Sequence, residues 1–202
     1  RRLPLLVGGG RDVPERHRTM RGAIAWSYDL LTPEEQVVFR RLSCFTGGAP
    51  LEAVELVCAS ARRIDDPLSI VASLVDRSLI QMSERTSGHP RVEMLETVRE
   101  FAAELAFDDP DMVVTRRAHA AYFVELARRH NVLEVLGNQA TGLAILEADH
   151  ANCRTALAWL WDQRATESKR LSEFCNHLFT FWWVRGHLQL GIEWFDRVLS
   201  LP

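Results

Sequence analysis

The chain has 202 residues, of which 47% are hydrophobic and 25% charged, with 24 Lys and Arg against 27 Asp and Glu. This composition excludes a disordered or collagen-like chain and fits one large or two small globular domains. No apolar stretch approaches the roughly 20 residues that a membrane span needs, so we expect no membrane partner. The first residues lack the apolar region and cleavage site of a signal peptide, which favours a cytoplasmic chain. The missing initiator Met favours a piece of a longer protein.

Helical patterns fill the first part of the chain. Residues 1–18 are rich in Gly, Pro and charge, and they are predicted to be a linker from a preceding domain. Cap residues and apolar spacing predict four helices, over 20–31 with Thr19 as N-cap, from Pro33 to Phe45, over 50–59 and over 67–78.

A two-stranded hairpin is predicted after the fourth helix. Ile80 and Met82 point one way, residues 86–90 turn the chain, and Val92 and Met94 point back the same way. Helices followed by such a hairpin indicate a winged helix-turn-helix, in which the hairpin is the wing. A further helix over 97–107 ends at the acidic stretch 108–111, which predicts a domain boundary.

From Met112 onward only helical periods appear. One predicted helix carries both Leu146 and Cys153, and the last has Gly191 four residues before Phe195. A small residue in that position is typical of the second helix of a tetratricopeptide-like hairpin. We therefore predict a mostly α protein, with a winged-helix domain over 19–107 and antiparallel helical hairpins, the start of an α-solenoid, over 112–202.

Charge argues against DNA binding by this winged helix. Residues 34–107 carry 8 basic and 12 acidic side chains, whereas DNA affinity depends on Lys and Arg that neutralise phosphates. The helix in the recognition position, over 67–78, offers only Arg77 and no Asn, Gln or Lys to read bases. Arg85 and Arg91 in the wing are the remaining candidates for backbone contacts. DNA is therefore not an expected partner of this segment.

The sequence contains no recognisable catalytic or metal motif. A P-loop needs G-x-x-x-x-G-K-[ST], but Lys169 is the only lysine and no glycine loop precedes it. The four cysteines and seven histidines lack the close spacings of metal ligands, and no G-x-S-x-G or Cys–His pair indicates a nucleophile. We expect no metal, no cofactor and no enzymatic activity in this chain.

Several runs together resemble a known family. They are residues 16–21, 25–31, 35–45, 74–80 and 94–102, followed by 183–188 with Trp194. The first five runs resemble the winged-helix region of STAND signal-transduction ATPases, and the last resembles the helical region that follows it. They are most similar to bacterial LuxR/AfsR-like regulators that combine an NB-ARC-type ATPase, a tetratricopeptide-like helical region and an output domain.

The resemblance implies that ADP or ATP binds to an ATPase domain outside this chain. That domain would be a partner of the winged helix, which folds back on bound ADP in the family, and release would allow a homo-oligomer. Leu95 and Glu96 stand where relatives carry the His and Asp of a Met-His-Asp motif. Leu95 cannot donate a hydrogen bond to phosphate, and Glu96 is also suited to pair with a nearby arginine or to cap the helix that begins at Thr97. His17 and Arg18, in a basic cluster, are further candidates for nucleotide-domain contact, or part of a solvated linker.

Five tryptophans crowd into the last quarter of the chain, more than one helix interface buries. We expect most of them in the core and the rest in an aromatic surface for a protein or small-molecule effector. The candidate residues of that surface are Trp183, Arg185, His187 and Trp194.

These expectations describe a regulatory and protein-interaction segment that couples a nucleotide state to a helical sensor. The alternative is a DNA-binding winged-helix transcription regulator with an effector-binding helical domain. An enzyme is the third hypothesis.

Overall fold

The computed structural model describes residues 15–61, 64–84, 90–131 and 139–201, without the side chains of residues 15–18 and 84. These ranges contain ten α-helices and one three-stranded sheet, which confirms the prediction of a mostly α protein. No helix in the described ranges has the length and apolarity needed to cross a membrane. The helices are α1 (Glu15–Asp29), α2 (Pro33–Leu42), α3 (Leu51–Cys58), α4 (Pro67–Asp76), α5 (Glu96–Leu105), α6 (Asp111–Arg129), α7 (Gln139–Ala148), α8 (His150–Asp162), α9 (Arg164–Arg185) and α10 (Leu188–Leu199). The strands are β1 (Ala49–Pro50), β2 (Gln81–Glu84) and β3 (Pro90–Glu93).

Helices α2 and α4 start where the sequence predicts. The Glu35 backbone N–H donates to the Thr32 hydroxyl at 3.3 Å, and the Thr32 N–H donates to the Glu35 carboxylate at 2.7 Å. This capping box, with Pro33 at the first helical position, satisfies groups that a helix start leaves without partners. At α4 the Asp66 carboxylate accepts from the Ser69 N–H at 3.0 Å.

Helix α1 begins earlier than predicted. The described helix already includes Glu15, so Thr19 lies inside it and is not its N-cap.

The wing is an antiparallel sheet with the strand order β1-β3-β2. Met82 pairs with Val92 in the predicted hairpin. Of the turn predicted at 86–90, only Pro90 is described, and it belongs to β3. Ile80 and Val92 are buried as predicted, but Met82 is 42% exposed and does not face the core. Strand β1, in which Ala49 pairs with Val92, has only two residues, too few for a periodic signal.

Residues 111–201 form the helical region, which contains α6 to α10. The predicted single helix through Leu146 and Cys153 is in fact two helices, because α7 ends at Ala148 and α8 begins at His150. Gly191 packs closely against α9, since a Cβ added there would lie 3.1 Å from the Trp182 ring.

One continuous hydrophobic core runs from the winged helix into the helical region. Two arginines of α2 add ion pairs between the winged helix and the helical region, at the acidic stretch 108–111. Arg40 Nε lies 3.0 Å from Asp109 Oδ2, and the buried Arg41 guanidinium lies 3.2 Å from Asp111 Oδ2. The acidic stretch therefore fastens the two regions together.

Candidate regulatory junction

The junction between the wing and the helical region is built around a buried ion pair. The side chain of Arg91, on β3, is 4% exposed, and that of Asp149, between α7 and α8, is 2% exposed. Arg91 donates from Nη1 to Asp149 Oδ2 at 3.1 Å and from Nη2 to Oδ1 at 2.6 Å. A two-point pair in such dry surroundings is costly to break, because either partner alone would be an unpaired buried charge. The pair therefore ties the wing to the α7–α8 turn.

This contact changes the interpretation of the wing. Arg91 is a candidate for a DNA backbone contact in the sequence, but its guanidinium is buried and bound to Asp149. Arg85, the other candidate, lies outside the described residues. Among the described wing residues, no arginine is thus available for phosphates.

The connection between α2 and β1 joins the same network. The Gly48 carbonyl accepts from Arg91 Nη2 at 3.1 Å and from Asn152 Nδ2 at 2.8 Å. Asn152 Nδ2 also donates to Asp149 Oδ1 at 3.1 Å, and Asn152 Oδ1 accepts from the Thr46 N–H at 2.8 Å. Every polar group of the Asn152 side chain is used in holding the three segments together.

A cavity of about 280 Å³ opens beside this network, between the α2–β1 connection, α5, α6 and α8. Its volume lies just below the roughly 300–1,000 Å³ of typical small-molecule sites. The Thr46 and Thr155 hydroxyls, 3.1 Å apart, form part of its wall, and Trp159 adds an aromatic surface. The cavity therefore has room for a small molecule and touches both regions of the chain.

The charges that line the cavity are unequally paired. Arg99 donates two hydrogen bonds to the Glu96 carboxylate, at 2.9 and 2.5 Å. Arg116 contacts the Cys44 thiol and has no carboxylate partner among the described residues. Asp162 contributes a carboxylate to the cavity wall. An anionic group is the natural complement of the Arg116 guanidinium.

Two buried groups in the cavity wall are neutral at pH 7. Burial lowers the pKa of His119 to about 4, although Asn152 beside it acts in the opposite direction. In the described part of the chain, His119 Nε2 has no hydrogen-bond partner. Burial raises the pKa of the Cys44 thiol to about 12, against the effect of Arg116. Cys44 is therefore not an activated nucleophile, whereas His119 retains a nitrogen for a ligand.

Helix α4 occupies the recognition position but presents little for base reading. Its exposed residues include Ser69, Ala72 and Asp76. Arg77, just past its end, lies 3.8 Å from the Glu35 carboxylate. No basic residue lies within the helix, so phosphate contacts at this face depend on flanking residues such as Arg77.

Of the residues predicted to contact a nucleotide domain, two have described side chains and two do not. Leu95, the N-cap of α5, is 59% exposed. Glu96 is bound to Arg99, which confirms the proposed pairing of Glu96 with a nearby arginine. His17 and Arg18 belong to α1 by their backbone, and their side chains lie outside the described residues.

The four predicted partner-binding residues do not form one exposed surface. Trp183 is 64% exposed, but Trp194 is 6% exposed and belongs to the core, which corrects its assignment to an open surface. Arg185 and His187 lie toward Glu147, with side-chain distances of 3.8 and 3.7 Å. The exposed surface therefore retains Trp183, while Arg185 and His187 belong to a separate cluster.

Comparison with known proteins supports the class of fold. The family model described as a winged helix-turn-helix domain matches residues 31–106. The chain is 37% identical over 200 residues, 97% of its length, to "Putative HTH-type transcriptional regulator Rv0890c" of Mycobacterium tuberculosis H37Rv, and equally to Mb0914c of Mycobacterium bovis, which carries the same description. It is 28% identical over 105 residues, 51% of its length, to "Uncharacterized protein Rv0894" of M. tuberculosis. The chain spans 22% of the first two relatives and 26% of the third. No solved structure matches it significantly.

The chain thus contains a winged helix-turn-helix domain and is homologous to proteins described as HTH-type transcriptional regulators. This supports a regulatory role. It favours the alternative, a winged-helix transcription regulator, over a segment coupled to an ATPase, because the family model and the descriptions of the first relatives both name helix-turn-helix proteins.

Proposed function

We propose that this chain is a regulatory segment of a winged-helix transcription regulator, in which the helical region binds an effector and controls the wing. The observation that carries the proposal is the buried pair between Arg91 and Asp149, because it joins the wing to the α7–α8 turn. Any movement of that turn must move the wing or break the pair. The description of the relatives as transcriptional regulators supports the same role.

The cavity at the junction is the proposed effector site. Arg116 without a carboxylate partner, His119 with an unpaired nitrogen and the Trp159 wall suit a small organic carboxylate. Thr46 lines the cavity through its side chain and donates its N–H to Asn152. A bound ligand therefore acts one residue away from the Arg91–Asp149 pair.

DNA binding is tested by fluorescence anisotropy of a labelled duplex at about 50 mM and about 200 mM salt. We expect affinity that falls steeply with salt, and loss of binding in Ala72→Glu, which adds an acid to the exposed face of α4. Ala165→Glu, at an exposed position of α9, is the matched control and retains binding. No binding by the wild-type chain at low salt would overturn the DNA part of the proposal.

The effector site is tested with benzoate as a small carboxylate and benzyl alcohol as its uncharged analogue. Titration calorimetry is expected to detect benzoate only, and Arg116→Gln is expected to weaken it at least tenfold. Arg117→Gln is the control, because Arg117 is the adjacent residue of α6 and pairs with Glu167 at 3.2 Å. Equal affinities in both variants would place the carboxylate elsewhere.

A second candidate is the nucleotide-coupled role implied by the family resemblance. The observation that favours it is the exposed face of α4, which has no basic residue and carries Asp76. On this proposal α4 contacts an ATPase domain of the longer protein, which holds the ADP or ATP, and this chain performs no catalysis. Absence of DNA binding at both salt concentrations, together with ADP binding by the longer protein alone, would favour this candidate.

A further inference from the structure

Three side chains of metal-ligand type meet beside the junction. Glu147 lies near the end of α7, His150 is the first residue of α8, and His187 lies between α9 and α10. One potential ligand atom from each lies within 4.8 Å of the other two. The turn at Asp149 and the α9–α10 turn bring together groups that are far apart in the sequence.

The two imidazoles are held in place by packing. Their ring centroids are 4.2 Å apart, with an interplanar angle of 37°. Both rings pack on Phe181, at centroid distances of 5.3 Å for His150 and 5.4 Å for His187. The His187 backbone N–H donates to the Trp182 carbonyl at 2.8 Å. A ligand set in which the rings are already positioned loses little freedom when it binds an ion.

The nitrogens of this cluster lack the partners that buried polar atoms normally have. Nε2 of His150 and Nε2 of His187 are both shielded from solvent, and neither has a hydrogen-bond partner in the described ranges. Glu147 Oε1 lies 3.7 Å from His187 Nε2, beyond hydrogen-bond distance.

We propose that Glu147, His150 and His187 bind a Zn²⁺ ion, with water as the fourth ligand. Two imidazoles and one carboxylate suit zinc, whereas magnesium and calcium prefer oxygen ligands alone. Ligand atoms around a tetrahedral zinc lie about 3.3 Å apart, so side-chain movements of roughly 1 Å close the site. Arg185 lies 3.8 Å from Oε2 of Glu147. The other carboxylate oxygen, Oε1, lies toward His187 and is available to bind the ion.

Zinc at this site would act on the junction. Glu147 and His150 lie on either side of Asp149. An ion bound to both of them and to His187 would hold the α7–α8 turn against the α9–α10 turn. Asp149 would then be fixed in its contact with Arg91. Binding of zinc does not depend on the proposed function, whereas its effect on the wing rests on it.

The test is a calorimetric titration of the chelator-treated chain with zinc chloride at pH 7. We expect one ion per chain, and at least tenfold weaker binding in His150→Gln and in His187→Gln. His177→Gln, on α9 and outside the cluster, is the matched control and should bind as the wild type does. The four cysteines are all buried and do not compete for the ion. Cobalt substitution adds a direct readout, because four-coordinate Co²⁺ with histidine ligands absorbs in the visible range.

Folding of each variant is checked by its melting temperature in EDTA. If the histidine variants fail to fold, Glu147→Gln keeps the proposal testable, since the Glu147 side chain is 45% exposed and its loss leaves the core intact. No zinc binding by the folded wild type, or binding unchanged in the cluster variants, would overturn the site. Zinc binding that the variants abolish, without any change in DNA affinity, would support the site and contradict only the proposed control of the wing.

Discussion

The two faces of the winged helix differ in how their charged groups are placed. On the side of the helical region, Arg91 is buried and bound to Asp149, so the contact is specific and water is excluded. On the other side, α4 exposes Ser69, Ala72 and Asp76. The wing is therefore held by the helical region, while the recognition face is left open to a partner.

The largest effect is expected at the buried side. Asp149→Ala leaves the Arg91 guanidinium buried without its partner, and we expect a loss of about 3–5 kcal/mol in the free energy of unfolding, measured in urea. The exposed pair between Arg21 and Glu104 is the control, because its side chains are 55% and 57% exposed. Glu104→Ala should cost no more than about 1 kcal/mol. Similar losses in the two variants would contradict the view that the junction is dry.

Acid should destabilise the junction through His119. Its pKa is about 4 in the folded chain, so the unfolded chain, with an ordinary value near 6.5, binds the proton more tightly. The stabilisation is therefore complete above about pH 6.5 and is lost as the pH falls toward 4, by roughly 3 kcal/mol. Urea unfolding measured between these pH values checks it.

His119→Leu serves as the control for the acid effect. It removes the titrating group and retains an apolar side chain between Phe45 and Phe123. The variant should lose less stability than the wild type over the same pH range. Parallel pH profiles of the two proteins would show that other groups cause the acid effect.

A smaller effect is expected at Gly48, in the connection that the junction holds. Its φ is +86°, and an added Cβ would lie 2.7 Å from Glu93 Cγ and 2.9 Å from the Val92 carbonyl. Gly48→Ala should cost about 2 kcal/mol of unfolding free energy. Gly22→Ala is the matched control, because Gly22 lies in α1 with no atom within 4 Å of the added Cβ, and should stabilise by about 0.5–1 kcal/mol. Destabilisation of both variants would contradict this assignment of strain.

Much of the fold is predictable from local sequence because its signals lie within a few residues of one another. The Thr32–Glu35 capping box and the Asp66 cap fix two helix starts, and the alternation around Val92 predicts the hairpin. Gly191 predicts a close helix contact because only a small residue allows it.

The candidate sites are not predictable in this way. The break at Asp149 has no glycine or proline, and its carboxylate is held by Arg91, which comes far earlier in the chain. The metal-ligand cluster likewise depends on the approach of two distant turns. Seven histidines without motif spacing predict no metal, because spacing along a chain does not reveal proximity in space.

The smallest effect on stability is expected at the open face of α4. Ala72→Arg places a cation at an exposed helix position, so the free energy of unfolding should change by less than about 0.5 kcal/mol. If α4 faces a duplex, the new arginine adds a phosphate contact and steepens the slope of log affinity against log salt by about 0.9. Ala165→Arg adds the same charge to α9 and should leave that slope unchanged. Equal slopes in the two variants would mean that α4 meets a surface other than a phosphate backbone, and would favour a protein partner for the recognition face.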